Sequence, residues 1–280
     1  MKEQYELRAR HYFPRRTYVI VRCDGRAFHT WTRGLGKPYS LDLMACMDAA
    51  AIALCEEAAG AQFAYVQSDE ISLLLTDFAD INTEAWFDNC QNKIESVSAS
   101  IVTSAFNLAV MGKLTSKRPT AVFDARAFVI PDHIEVENYF IDRQQDAVRN
   151  SVMMLARAYA SHKELMGKNQ SAQHEIIHAA GDNWEKHPAR FRHGSVIRRS
   201  AVDYLAQPQS PPGTHPAYFR QETVDDLNLM DDIRKFPQSN WFVDEGTPVF
   251  TRARHYLRAM IPIHWENDMV ERIPDHRKGT

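Results

Sequence analysis

Apolar residues along this chain fall into two rhythms. Short runs rich in β-branched and aromatic side chains mark strands at residues 17–23, 62–66, 71–76 and 121–130. Between them the spacing becomes helical. Leu43, Met44, Met47, Ala50, Ala51, Leu54 and Cys55 recur every three or four positions after Pro38-Tyr39-Ser40, and Gly60 suits the end of that helix. Residues 83–111 read as one long helix, continuous or interrupted. Residues 136–165 are helical again, with Val148, Val152, Leu155 and Tyr159 on one face. Gln67-Ser68-Asp69-Glu70 forms the turn of a β-hairpin, and Pro131-Asp132 stops the fourth strand.

The order β-α-β-β-α-β-α predicts an α+β fold. Its first six elements match the split βαβ, ferredoxin-like arrangement: an antiparallel sheet with helices on one face. The same arrangement serves as the palm of many polymerases and nucleotide cyclases. Residues 1–165 are therefore taken as a palm-like domain. Residues 166–280 form a C-terminal extension completing the fold, with a strand near 191–199 and a Pro-rich loop at 208–216. Residues 168–173 are polar, short apolar segments recur at 241–243 and 247–250, and no internal repeat is visible.

Composition narrows the class. With 280 residues, 44% hydrophobic and 25% charged, the chain has the make-up of a soluble globular protein with a sizeable core. A net charge of −3 excludes a wholly basic surface, so nucleic-acid contacts must use local patches. Candidates are Arg8, Arg10, His11, Arg15 and Arg16; Lys113, Lys117 and Arg118; and Arg190, Arg192, His193, Arg198 and Arg199. Cys23, Cys46, Cys55 and Cys90 show no C-x-x-C pair and no zinc spacing, which favours a reducing cytoplasm. The polar N-terminus lacks a signal-peptide pattern, and the stretch 97–111 reads as too short and too polar to cross a membrane.

The chemistry sits in two short motifs. Asp24-Gly25-Arg26-Ala27-Phe28-His29 follows the first strand, and Ser68-Asp69-Glu70 occupies the hairpin turn. Alone, Asp-Gly is an ordinary turn and Asp69-Glu70 a solvated acidic one. Together, on neighbouring strands, Asp24 and Asp69 make a site for divalent metal ions suited to nucleotidyl transfer. Gly25 permits close approach of a ligand, its carbonyl offers a further metal ligand, and the amides of Arg26 to His29 suit a triphosphate. Lys37 is a candidate phosphate contact or an ordinary surface lysine. Arg126 either pairs with Asp124 or meets substrate. Arg143, Asp146 and Asn150 share a helix face, functional or merely solvated.

These residues resemble the tRNA(His) guanylyltransferase superfamily. Asp24-Gly25-Arg26-x-Phe28-His29, Gly36-Lys37-Pro38, Gln67-Ser68-Asp69-Glu70, Phe123-Asp124-x-Arg126 and Arg143-Gln144-x-Asp146 follow its order and spacing, over residues 17–197. The resemblance implies addition of nucleotides to the 5′ end of tRNA, in the 3′→5′ direction. It implies a polymerase-like palm with two Mg²⁺ ions, GTP and ATP as substrates, and a homotetramer built as a dimer of dimers. Asp24, the Gly25 carbonyl and Asp69 are the implied metal ligands, and Glu70 supports the metal site or catalysis. Asp24, Gly25, Arg26, Ala27, Phe28, His29, Lys37, Ser68 and Asp69 are the implied nucleotide contacts.

Two departures matter. The eukaryotic branch carries His-Ile-Asn-Asn-Leu-Tyr-Asn, where this chain has Ala147-Val148-Arg149-Asn150-Ser151-Val152-Met153. A family lysine is replaced by His193. Both changes resemble the bacterial-type guanylyltransferase-like proteins, which are template-dependent 3′→5′ polymerases that repair 5′-truncated tRNAs. The segment 241–251 also resembles that branch. Templated repair is therefore the leading expectation and untemplated addition of G to tRNA(His) the alternative. A nucleotide cyclase shares the two-carboxylate logic and is a lesser alternative, because its Gly-Gly-Asp/Glu-Glu-Phe turn is replaced here by Gln67-Ser68-Asp69-Glu70-Ile71. A non-catalytic tRNA-binding module conflicts with two intact carboxylates.

Overall fold

The structure, a computed structural model, describes residues 1–79, 81–114, 119–199 and 241–263. The described strands form one antiparallel sheet in the order β4-β1-β3-β2-β5-β6. They are β1 (Tyr18–Gly25), β2 (Ala61–Gln67), β3 (Glu70–Leu75), β4 (Phe123–Ile130), β5 (Ser195–Arg199) and β6 (Trp241–Asp244). The first four stand in ferredoxin-like order, as the alternation of elements predicts. β5 pairs with β2 and β6 with β5, extending the sheet past the hairpin.

The sheet alternates its apolar side chains and buries both faces. Val19, Val21 and Cys23 of β1, Ala64 and Val66 of β2, and Ile71, Leu73 and Leu75 of β3 face the two connecting helices, α2 (Leu41–Glu57) and α3 (Gln91–Lys113). Those two helices share one face, as expected. Tyr18, Ile20, Phe63, Tyr65 and Leu74 point the other way, onto α4 (His133–Tyr159), where Val136, Phe140 and Ile141 cover them. A third cluster joins the far half of α4 to Leu165, Ile177 and Phe191. These residues come from α5 (His162–Leu165), α6 (Gln170–Ala179) and α7 (Ala189–His193). The last described helix, α8 (Arg254–Arg258), is fixed to α4 through buried Glu137, which receives Arg254 at 3.1 Å and Arg258 at 2.7 Å.

Several boundaries differ from the sequence expectation for identifiable reasons. The long helix begins at Gln91, not at residue 83. Its upstream stretch is captured by the N-terminal segment: Phe13 N donates to the Asn89 carbonyl, Gln91 N to the His11 carbonyl, and Asn89 Nδ2 to the Pro14 carbonyl. Phe87, Asp88 and Asn89 there take positive φ, which ends helical continuity. Helix α4 starts early because the Asp132 side chain caps it, accepting from Ile134 N at 2.7 Å. It stops at Tyr159, and a Ser161–Glu164 capping box opens α5. The polar stretch at 168–173 contains the start of α6, capped by Asn169. The sequence reading also undersold α3. With 23 residues and a mean hydropathy of 1.4 in its most apolar window, it is long and apolar enough to cross a membrane. Here Ile94, Val102, Phe106 and Val110 bury one side of it against the sheet. All four cysteines are buried free thiols.

A buried ion pair locks the extension to the palm. Asp48 on α2 receives Arg190 Nη2 at 2.8 Å, Arg190 Nε at 3.2 Å and the Ser195 hydroxyl at 2.7 Å. Removing one partner strands the other charge in the interior. Asp48→Ala should therefore destabilise the fold by about 3–5 kcal/mol in urea unfolding. A loss below about 1 kcal/mol would show that Arg190 finds another partner.

Candidate active site

The predicted carboxylates converge at one end of the sheet. β1 ends in Asp24-Gly25, and its two neighbours place Glu70 and Asp124 directly opposite Asp24. Strand alternation puts these three side chains, with Arg22 and Arg126, on the face that carries α4. The hairpin turn has only two residues, Ser68 and Asp69, and Ser68 adopts a φ of 49°. Gly25 N donates to the Asp69 carbonyl at 3.1 Å, seating the turn on the end of β1. Ser68 Oγ donates to Asp69 Oδ1 at 2.9 Å. Two motifs distant in sequence thus become one half-buried acidic site.

Electrostatics follow from that crowding. Asp24 titrates above the usual carboxylate range, first because of burial and then through repulsion by Asp124; Arg126 and Arg22 oppose the shift. Asp69 is also raised, by burial first; its bond from Ser68 opposes the shift, and Asp24 adds to it. Glu70 instead has partners. Arg143 Nη1 on α4 lies 3.4 Å from its Oε2, and Ser72 Oγ donates to its Oε1 at 3.3 Å. Arg143 is held in turn by Asp142 at 2.7 Å and Asp146 at 3.6 Å.

The donor set fits Mg²⁺. Asp24 and Asp69 supply hard oxygen ligands whose mutual repulsion a cation relieves. Phe123, opposite Gly25, gives its N–H to Thr103 Oγ1 at 3.1 Å, so β4 leaves the Gly25 carbonyl unclaimed. Among the described residues no three His, Cys, Asp or Glu side chains make a complete metal cage. Mg²⁺ commonly takes one or two carboxylates and completes its shell with substrate phosphates and water.

The remaining loop residues divide by role. Gly25 is required sterically, because a Cβ there would run into the Phe28 ring. Phe28 is buried among Trp31, Phe106 and Phe123, with ring centroids 5.1–5.4 Å away, so its side chain shapes the loop from beneath. Ala27, at φ 53°, turns the chain into the short helix α1 (Phe28–Trp31). The Arg26 amide is already given to the Val122 carbonyl at 2.9 Å. The amides of Ala27, Phe28 and His29 open the first turn of α1, where N–H groups lack intrahelical partners. Arg26, His29 and Lys37 are exposed.

Arg126 pairs with Asp124 at 3.7 Å. Most arginines of the expected basic patches have protein partners. Arg15 meets Asp77 at 2.6 Å, and Arg190 meets Asp48. Arg192 stacks over Trp184 at 5.1 Å, Arg198 pairs with Asp244 at 3.2 Å, and Arg199 lies over Trp241 at 4.9 Å. Lys117, Arg118 and the loop at 208–216 lie outside the described residues. Three site neighbours escaped the sequence reading as such. Asp124 depends on the β1–β4 register. The Arg143 clamp was visible only as a polar helix face and as part of the Arg143-Gln144-x-Asp146 motif. Gln144, buried beside it, donates to the Pro248 carbonyl at 2.8 Å and accepts from Phe250 N at 2.7 Å, tying α4 to the C-terminal segment.

Comparison with known proteins gives the family and the fold. A family model described as tRNAHis guanylyltransferase matches residues 1–131. A bacterial tRNA(His) guanylyltransferase-like protein, solved in complex with ATP, is 34% identical with a TM-score of 0.76, covering 92% of this chain and 96% of that one. One solved in complex with GTP is 32% identical with a TM-score of 0.68, covering 93% and 97%. The tRNA(His) guanylyltransferase of Schizosaccharomyces pombe is 27% identical over 208 residues, 67% of this chain and 75% of that protein. The Saccharomyces cerevisiae structure, 20% identical with a TM-score of 0.61, shares the fold.

A carboxylate with a raised folded pKa binds more protons folded than unfolded, so its contribution to stability falls as pH rises through the raised value. At pH 7 without divalent ions, Asp69→Asn should therefore melt higher than the native chain, by about 2–4 °C. Millimolar Mg²⁺ should raise the melting temperature of the native chain more than that of the variant. A variant that melts lower and responds equally to Mg²⁺ would contradict this electrostatic account.

Proposed function

The chain belongs to the tRNA(His) guanylyltransferase family and is a nucleotidyltransferase, and we propose that it adds nucleotides 3′→5′ to the 5′ end of tRNA, in templated repair of 5′-truncated tRNA. The observation that carries the proposal is the seating of the Ser68-Asp69 turn on the end of β1, which unites Asp24, Gly25, Asp69 and Glu70 at one point. Support for the repair branch comes from the departures at residues 147–153 and His193, and from the 34% identity to the bacterial guanylyltransferase-like protein.

The reaction joins the 3′-hydroxyl of an incoming nucleoside triphosphate to the activated 5′ phosphorus of the RNA. A new P–O bond forms, the bond to pyrophosphate or AMP breaks, and the hydroxyl proton passes to solvent. Asp24, Asp69 and the Gly25 carbonyl would hold two Mg²⁺ ions, which when bound lower the pKa of the hydroxyl and neutralise phosphate charge. The chain's own part is placement. Gly25 lets the loop close down, the amides opening α1 face the triphosphate, and Ser68 and Lys37 add contacts. Glu70, steadied by Arg143 and Ser72, supports the acidic site. Catalysis then rests on positioning and charge neutralisation. Residues 1–165 are taken as this catalytic unit, and the described residues beyond 165 as completing the fold around it. The proposal carries with it ATP and GTP as substrates and a cytoplasmic homotetramer.

The test is 5′ extension of a labelled tRNA lacking its first nucleotide, with each nucleoside triphosphate supplied singly. Addition of only the base that pairs with the opposing 3′-strand nucleotide is expected. Addition of G whatever the template would assign the chain to tRNA(His) guanylylation instead. Asp69→Ala should reduce addition by about a thousandfold while leaving the melting curve cooperative. Retained turnover would remove Asp69 from the site.

A further inference from the structure

Away from the acidic site, the chain carries a metal-binding pattern that nucleotidyl transfer does not use. Residues 174–178 read His-Glu-Ile-Ile-His, and Gly181 and Trp184 follow at three-residue steps. H-E-x-x-H sets two imidazoles one turn apart on a helix, the spacing that binds Zn²⁺. The pattern has that meaning only where the chain is helical. Here all five residues lie within α6, Gln170–Ala179.

Burial sorts the pattern by face. Ile177 is buried in the cluster with Val152 and Leu155 of α4, and Ile176 packs against that cluster. Glu175 and His178 are exposed, and His174 is half-buried. His174 and His178, at i and i+4, are neighbours on the helix surface. Their rings lie 6.4 Å apart between centroids and 29° from parallel. Metal–nitrogen bonds of about 2.0–2.1 Å hold two imidazoles roughly 5 Å apart at a tetrahedral angle, so a modest side-chain rotation closes this pair on one ion.

The surroundings decide which ion suits the pair. In the longer zinc-enzyme pattern, H-E-x-x-H-x-x-G-x-x-H, a third histidine completes the ligand set. Here the glycine is kept, as Gly181 at φ 81°, but the third place holds Trp184. The Trp184 ring stands edge-on to His174, with centroids 5.9 Å apart. Among the described residues no third His, Cys, Asp or Glu joins the pair. Two imidazoles therefore supply the protein ligands, and water fills the remaining positions. Imidazole suits Zn²⁺, Ni²⁺ and Cu²⁺, whereas Mg²⁺ takes oxygen ligands, so this pair and the Asp24–Asp69 site call for different ions.

We propose that His174 and His178 form a two-histidine site on α6 for a first-row transition-metal ion such as Zn²⁺, separate from the nucleotidyl-transfer site. The ion bridges successive turns of a ten-residue helix whose one buried side chain is Ile177. The unfolded chain does not hold the two rings at this spacing, so binding stabilises the folded protein. The ion thus acts as a staple on the helix that covers the far half of α4.

The test is calorimetric titration of the untagged full chain with Zn²⁺, in millimolar Mg²⁺ to occupy the acidic site. The native chain should bind one Zn²⁺, and His174→Gln or His178→Gln should each weaken binding about a hundredfold. The paired change His178→Ala with Ala179→His keeps the number of histidines but moves one ring off the shared face. Residues 178 and 179 are both exposed, so the fold tolerates the exchange. This variant should lose the site as fully as the single ones, and 5′ extension of tRNA should be unchanged in all three. Failure of the native chain to bind Zn²⁺ would overturn the proposal, and that measurement needs no variant to fold. Equal binding by the shifted-histidine variant would overturn it too, because histidine content and not the helical pair would then hold the ion.

Discussion

Like charges stand opposite one another at one end of this sheet. Asp24 faces Glu70 on one side and Asp124 on the other, with Asp69 folded over the same strand end. Opposed carboxylates on adjacent strands weaken a ladder. Here the rest of the ladder imposes them: the buried side chains of β1 and β3 hold the register, and a one-residue slip would send each to the opposite face. The strain is eased but not removed. Arg143 attends Glu70, Arg126 attends Asp124, and Asp24 and Asp69 keep raised pKa values. An acidic site left in that condition is poised for cations and for the phosphates that accompany them.

Helix α4 links that site to the rest of the molecule. Consecutive residues serve different ends: Arg143 reaches Glu70, while Gln144 binds the backbone at Pro248 and Phe250. One turn of helix thus couples the acidic turn to the C-terminal segment. Farther along, Ser151 accepts from Trp184 Nε1 at 3.0 Å and its hydroxyl meets the Arg192 carbonyl at 3.4 Å, carrying the same helix to the His193 region. The Asp48–Arg190–Ser195 cluster secures that region from the opposite face of the sheet. The described residues beyond 165 are thus tied by hydrogen bonds to the helix that carries Arg143.

What could be read from the sequence was whatever local pattern controls. The four palm strands, the hairpin turn and helix α2 follow from alternation, turn residues and helical spacing, and their order alone indicated the sheet. The Asp24 and Asp69 motifs were legible because carboxylates at strand ends carry a chemical meaning. What escaped depends on contacts far apart in the chain. The break before α3 is made by His11–Pro14 pairing with residues 89–91. The start of α6 hides in a polar stretch because only its cap and Ile177 mark it. Asp124 gains its meaning from the β1–β4 register, and Gln144 from the C-terminal backbone it binds.

The central claim is that Asp24 and Asp69 together bind the divalent ions that accompany a nucleoside triphosphate. The most direct measurement is anomalous diffraction from crystals of the full chain grown with Mn²⁺ and a non-hydrolysable ATP analogue. The account predicts anomalous peaks between the two carboxylates and the triphosphate, at metal–oxygen distances of about 2.0–2.3 Å. Peaks elsewhere, with the carboxylates of Asp24 and Asp69 turned away from the phosphates, would contradict it.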